Sequence, residues 1–210
     1  MSLSVLNLPA FVPAFRDLDR LTLRATHPYY PHTAEVNSPS SILVGCNQKV
    51  VCIRVQGKGS FQNSAGVKRF AKAMVNRGFR DFVVDLAACP VMDSTFMGTL
   101  TGIAFRLREL GHGGLHVINS NTRNTDLLEG LGLDQILSLE RGQNAAPPLN
   151  GAEILADAEL PSEPLDKRAT TETMIAAHQA LVDADPENLG KFKDVIDYLK
   201  QDLRQEESLD

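Results

Sequence analysis

The sequence predicts an α/β fold: a mixed sheet of four or five strands with helices packed on it, followed by a C-terminal helical hairpin. Three observations predict it. Between residues 41 and 140, apolar runs of strand length alternate with stripes of helical spacing. Residues 141–169 then carry Pro147, Pro148, Pro161 and Pro164 among small and polar residues, which reads as a linker. Residues 170–206 return to helical spacing without a strand pattern.

In chain order, residues 1–40 read as an N-terminal arm. Leu8, Phe11, Phe15 and Leu18 keep helical spacing, but Pro9 and Pro13 interrupt it, and His27 to His32 has the composition of an extended loop. Ile42 to Cys46 is a short apolar strand, Asn47-Gln48-Lys49 suits a turn, and Val51, Ile53 and Val55 alternate as a strand with one buried face. After Gly57 and Gly59, a helix capped by Asn63 or Ser64 places Val67, Phe70, Ala71, Met74 and Val75 on one face and ends at Gly78. Phe82 to Leu86 is nearly all apolar, as in a central strand covered on both sides.

A second helix carries Leu100, Ile103, Ala104, Leu107 and Leu110, and its Gly98 and Gly102 predict a close approach to the sheet. Leu115 to Ile118 is the next strand. Thr125 caps a short helix with Leu127, Leu128 and Leu131, and Leu137 to Leu139 is an edge strand. Strand, crossover helix and strand repeated in this way imply parallel pairing within a mixed sheet. In the hairpin, Met174, Ile175, His178, Leu181 and Val182 share a face. Asp185-Pro186-Glu187 starts the final helix, whose Leu189, Phe192, Ile196, Leu199 and Leu203 form a narrow stripe. Such a hairpin needs a surface to dock on, either the main domain or a second copy of itself.

Composition excludes several functions. Of 210 residues 43% are hydrophobic, enough for a real core, and the formal net charge of −5 argues against nucleic-acid binding. The charge is uneven: residues 150–210 hold 15 acids and 6 bases, residues 1–149 hold 11 acids and 15 bases. Cys46, Cys52 and Cys89 lie in apolar runs without metal-like spacing, so buried free thiols in a reducing cytoplasm are expected, with no metal site. No apolar run approaches a membrane span, and the N-terminus lacks a secretory pattern.

Chemistry concentrates at Asp93-Ser94-Thr95, between the central strand and the second helix. The first N–H groups of a helix have no partner within it, so one of these residues serves as a cap. The same N–H groups and the helix dipole favour an anion by roughly 0.3–1 kcal/mol. A phosphate on Ser94 would therefore be tolerated by the helix while adding about −1.5 to −2 charges to the surface.

Asp93-Ser94-Thr95-Phe96-Met97-Gly98, with the strand order around it, resembles the Asp-Ser-Ser-Gly-Leu-Gly-like segment of STAS domains in bacterial anti-sigma factor antagonists. The acid, first hydroxyl and second glycine match; Thr95 replaces a serine. Phe96 replaces the first glycine, which predicts a bulky ring at the partner surface. The resemblance spans residues 42–140. It implies a non-enzymatic regulator with Ser94 as phosphoacceptor and Thr95 as a second site. It also implies a serine kinase that doubles as the anti-sigma factor, and a metal-dependent serine phosphatase. ATP and magnesium belong to the kinase, so no cofactor is expected in this chain.

Gln56 to Asn63 has two glycines ahead of a helix but matches neither common phosphate-loop pattern, so it reads as a connecting loop. By position it matches the family loop beside the phosphoacceptor. The partner surface implied is therefore Lys58, Phe61, Asp93, Thr95, Phe96 and Met97. His112 and His116 lack metal partners, His178 reads as a packing residue, and Asp85 as a sheet-end hydrogen-bonding group. The alternative function is a non-enzymatic STAS scaffold or accessory subunit of a signalling or lipid-transport assembly; separately, a homodimer through the C-terminal helices is a partner the hairpin allows. An enzyme using Ser94 as nucleophile lacks a base placed by sequence.

Overall fold

A computed structural model describes residues 40–46, 50–140, 158–161 and 166–207. The expected arm, the turn at 47–49 and most of the linker lie outside the described residues.

Among the described residues the sheet has six strands in the order β5-β4-β3-β2-β1-β6. The hairpin of β1 (Ser41–Cys46) and β2 (Val50–Gln56) is antiparallel, Ile42 opposite Val55 and Val44 opposite Ile53. β3 (Asp81–Ala88), β4 (Gly114–Ile118) and β5 (Ser138–Leu139) follow in parallel beside β2. The sheet exceeds the expected four or five strands because β6 (Ala158–Glu159), inside the predicted linker, pairs antiparallel with Leu43 and Val44.

β3 is covered on both faces, as its continuous apolar run requires: Phe82 through Leu86 are all buried. β2 is covered on both faces too, since Val50 and Cys52 are as buried as Val51 and Ile53. Within β3, Asp85 pairs with Arg54 on β2 (Nε–Oδ2 2.9 Å) and accepts from the amide of Asn119 (2.9 Å), which satisfies its buried carboxylate.

The helices are α1 (Phe61–Asn76), α2 (Ser94–Glu109), α3 (Thr122–Glu129), α4 (Lys167–Ala184) and α5 (Leu189–Glu207). Two caps differ from expectation. α1 is capped by Ser60 rather than by Asn63 or Ser64, and the Asn63 side chain reaches back to accept from the Ser60 N–H (2.9 Å). α3 starts at Asn121, whose side chain accepts from the Asn124 N–H, and not at Thr125.

α1 and α2 pack on each other, and α4 packs on both. The hairpin therefore docks on the main domain. The close approach of Gly98 and Gly102 is real, but it is to α4 and not to the sheet. A Cβ at Gly98 would stand within the backbone of Ala177, and one at Gly102 would be 3.9 Å from Ala180 Cβ. The docked face of α4 is correspondingly small-sided, with Thr173, Ala177 and Ala180 buried. Met174 and Ile175, expected on the inward stripe, are half-buried. Asn188 fixes the hairpin turn: its amide donates to the carbonyls of Leu131 and Leu181, both at 2.9 Å.

Candidate functional site

The end of β3 and the start of α2 are held by a second loop. The Gly57 N–H donates to Ala88 (2.9 Å), the Gly59 N–H to Val91 (3.1 Å), and the Asp93 N–H back to Gly59 (2.9 Å). A parallel bridge between Gly59 and Met92 extends the β2–β3 pairing past the strand ends. The loop from Gly57 to Phe61 therefore runs alongside Asp93-Ser94.

Asp93 joins the two pieces. Its Oδ1 accepts from the Phe96 N–H (2.8 Å), capping α2, and its Oδ2 accepts from the Phe61 N–H (2.9 Å), the first residue of α1. One carboxylate thus satisfies free N–H groups of two helix starts.

Ser94 is the first residue of α2 and is half-buried. Its Oγ lies 2.9 Å from Nε2 of His178 on α4. The other ring nitrogen, Nδ1, lies 2.8 Å from the Met174 carbonyl. A carbonyl only accepts, so Nδ1 carries the proton, and Nε2 accepts from the Ser94 hydroxyl. The ring of Phe192 on α5 stands 5.2 Å from the imidazole, centre to centre. His178 is 3% exposed, and burial holds its pKa below the ordinary histidine value; the Met174 carbonyl and the Asp93 charge oppose this less strongly.

The remaining expected residues divide by exposure. Lys58 and Phe61 are exposed, Phe61 by 41%. Thr95, Phe96 and Met97 are buried, at 3%, 0% and 4%. The ring of Phe96 does not reach the surface, contrary to expectation. It turns inward over Gly59, where an added Cβ would be 2.7 Å from the ring. The space left by the missing side chain at Gly59 is what admits a phenylalanine at this point of α2.

Residues 41–146 match the family model of the STAS domain. The chain belongs to the STAS domain family. No curated relative matches it. Among solved structures it is similar to TM1081 of Thermotoga maritima, at 18% identity and TM-score 0.45, covering 48% of this chain and 86% of that one. It is also similar to the Bacillus cell fate determinant SpoIIAA in its phosphorylated form, at 14% identity and TM-score 0.42, covering 50% and 95%. An anti-sigma factor antagonist from Mycobacterium paratuberculosis matches at 21% identity and TM-score 0.40, covering 50% and 87%.

In this STAS protein, His178 is the residue that sequence reasoning set aside. It lies outside the matched region, 84 positions from Ser94, and the only signal in the sequence was a histidine on an otherwise apolar helix face. The pair has the geometry of a hydroxyl facing a base. A cavity of about 330 Å³ between α1, α2 and α4 is lined by residues that include Lys68, Ala71, Gly98, Gly102, Thr173 and Ala177, and includes neither member of the pair. Cys52 and Cys89 are buried and Cys46 half-buried, all free; burial pushes the Cys52 thiol up to about 12. Among the described residues no cluster of ligands suits a metal ion, and no helix is long and apolar enough to cross a membrane.

Proposed function

We propose that this chain is a STAS-type regulatory protein of the anti-sigma factor antagonist kind, switched by reversible phosphorylation of Ser94 and without catalytic activity of its own. Unmodified, it binds a serine kinase that doubles as the anti-sigma factor; a metal-dependent serine phosphatase resets it. The observation that carries this reading is the position of Ser94 at the first turn of a helix capped by Asp93, beside the exposed Lys58 and Phe61. An anion there meets a helix N-terminus, so the domain tolerates the phosphate while the surface around it gains negative charge. Ser94, half-buried, is favoured as the acceptor over Thr95, which is 3% exposed. Lys58, Phe61 and Asp93 remain as partner contacts.

The test is phosphosite mapping by mass spectrometry after incubation with ATP, magnesium and extract of the native cell, wild type beside Ser94→Ala. The expected result is one phosphate on Ser94 that the variant lacks. An unmodified Ser94, in an extract active on a control substrate, overturns the reading.

A second reading, a STAS scaffold dimerising through its C-terminal helices, is favoured by Leu189 and Tyr198, which stand 49% and 68% exposed on α5. Light scattering on the eluting protein separates the two: a stable dimer that dissociates on Tyr198→Asp supports the scaffold.

A further inference from the structure

The C-terminal hairpin sits on the face of α2 that begins with Ser94, and nothing in the STAS match requires it to be there: residues 41–146 account for the matched domain, and α4 and α5 follow it. The seat is tight. At Gly98 the two helices touch backbone to backbone, and at Gly102 they meet through Ala180. The imidazole of His178 is held on one side by Met174 and faced by Phe192, so it fills the space in front of the Ser94 hydroxyl.

A phosphoryl group on Ser94 would put a phosphorus and three oxygens where the Ser94 hydroxyl now meets the ring. It would bring about −1.5 to −2 charges against a buried neutral imidazole and beside the Asp93 carboxylate. Charge across the interface adds to this. Residues 41–140 hold 8 acids and 11 bases, whereas residues 166–207 hold 10 acids and 6 bases. An acidic hairpin docks on a basic domain, and each negative charge added to that domain weakens the attraction.

We propose that the Ser94 face of α2 is an interaction surface with mutually exclusive occupants: the chain's own C-terminal hairpin, or a phosphate on Ser94. Docking shields the hydroxyl, and phosphorylation releases α4 and α5. The two states are linked: a phosphate that weakens docking is itself disfavoured, at equilibrium, by docking to the same extent. This rests on the reading of Ser94 as phosphoacceptor, deepening it with a gate that the chain itself supplies.

Phosphoserine installed at position 94 during translation tests the proposal without any kinase. Amide exchange of the full chain is followed by mass spectrometry in α4 (residues 167–184) and, as reference, in β3 (residues 81–88). Exchange in α4 should accelerate by roughly 5–150-fold, the usual range of such couplings, while β3 stays protected. Unchanged protection of α4, with His178 now clamping the phosphate, would overturn the proposal.

Gly98→Ala opens the same seat by another route, with no phosphate at position 94. Alanine improves the helix itself, so the domain keeps its fold. In Ser94→Cys, the thiol at 94 should react with Ellman's reagent faster by the same range once Gly98→Ala is added, against a constant background from Cys46, Cys52 and Cys89. Equal rates would also overturn the proposal, and this arm decides the matter if the phosphoserine protein does not fold. The outcomes separate from those of the functional reading: phosphoserine that releases the hairpin, in a chain that no extract phosphorylates at Ser94, leaves the gate standing and removes the switch.

Discussion

Ser94 has a neighbour on either side, and the two are attached in different ways. On one side, the Gly57–Phe61 loop is joined to the end of β3 and the start of α2 by backbone hydrogen bonds at Gly57, Gly59 and Asp93 and by the Asp93 carboxylate. On the other, the hairpin is joined by side chains: Ser94 to His178, Asn188 to Leu131, Lys191 to Gly130 (3.0 Å), with small residues packed between. Backbone bonds that continue a sheet break only when the sheet breaks. Side-chain bonds and a small-residue seat open locally. The loop is scaffold and the hairpin is cover, a division that suits a serine whose surroundings must stay fixed while its exposure changes.

The largest effect should come from breaking the scaffold side. Phe96 is fully buried, with its ring against the backbone at Gly59. Phe96→Ala should cost about 3–5 kcal/mol in urea unfolding, because the cavity adds to the lost burial, and the Gly57–Phe61 loop should go with the sheet in one transition. A cost under about 1 kcal/mol would mean that the site collapses around the gap and that the ring does not fix the loop.

Breaking the cover should cost less and stay local. Asn188→Ala removes two hydrogen bonds to buried carbonyls, worth roughly 1–3 kcal/mol together with the groups left unpaired. Exchange should accelerate in α4 and α5 while the unfolding midpoint of the sheet holds. If the midpoint falls by the full amount, hairpin and domain are one cooperative unit, and the contrast between them is lost.

How far these two sides were legible in the sequence follows the same line. The strands from Ile42 to Ile118 declare themselves through apolar runs bounded by turn residues, and Asp93 through the cap chemistry that a helix start demands. Contacts made by small residues do not declare themselves. Gly98 and Gly102 promised a close approach, but a glycine does not say to what; the partner turned out to be Ala177 and Ala180, which add little to any hydrophobic stripe. β6 is two residues long, too short for alternation to show. Ser94 and His178 meet only because α4 returns across α2, a tertiary fact with no local signature.

The smallest effect, and the sharpest for the cover, is a pH dependence carried by one proton. Docked, His178 is neutral with its pKa below the ordinary 6.5, mainly through burial; undocked, it recovers that ordinary value. The undocked form therefore binds the proton more readily. Docking is at full strength above pH 6.5 and weakens as pH falls from 6.5 through the lower docked value. The Asp93 charge, which reaches the ring, opposes the shift less strongly than burial drives it. Exchange in α4, corrected for its intrinsic pH dependence, should thus rise between pH 7.5 and 5.5 relative to β3. His178→Asn should flatten that rise although the chain's other four histidines are still in place. A rise that persists in the variant would place the proton elsewhere, and the hairpin would then be held by packing at Gly98 and the Asn188 anchor without help from the serine.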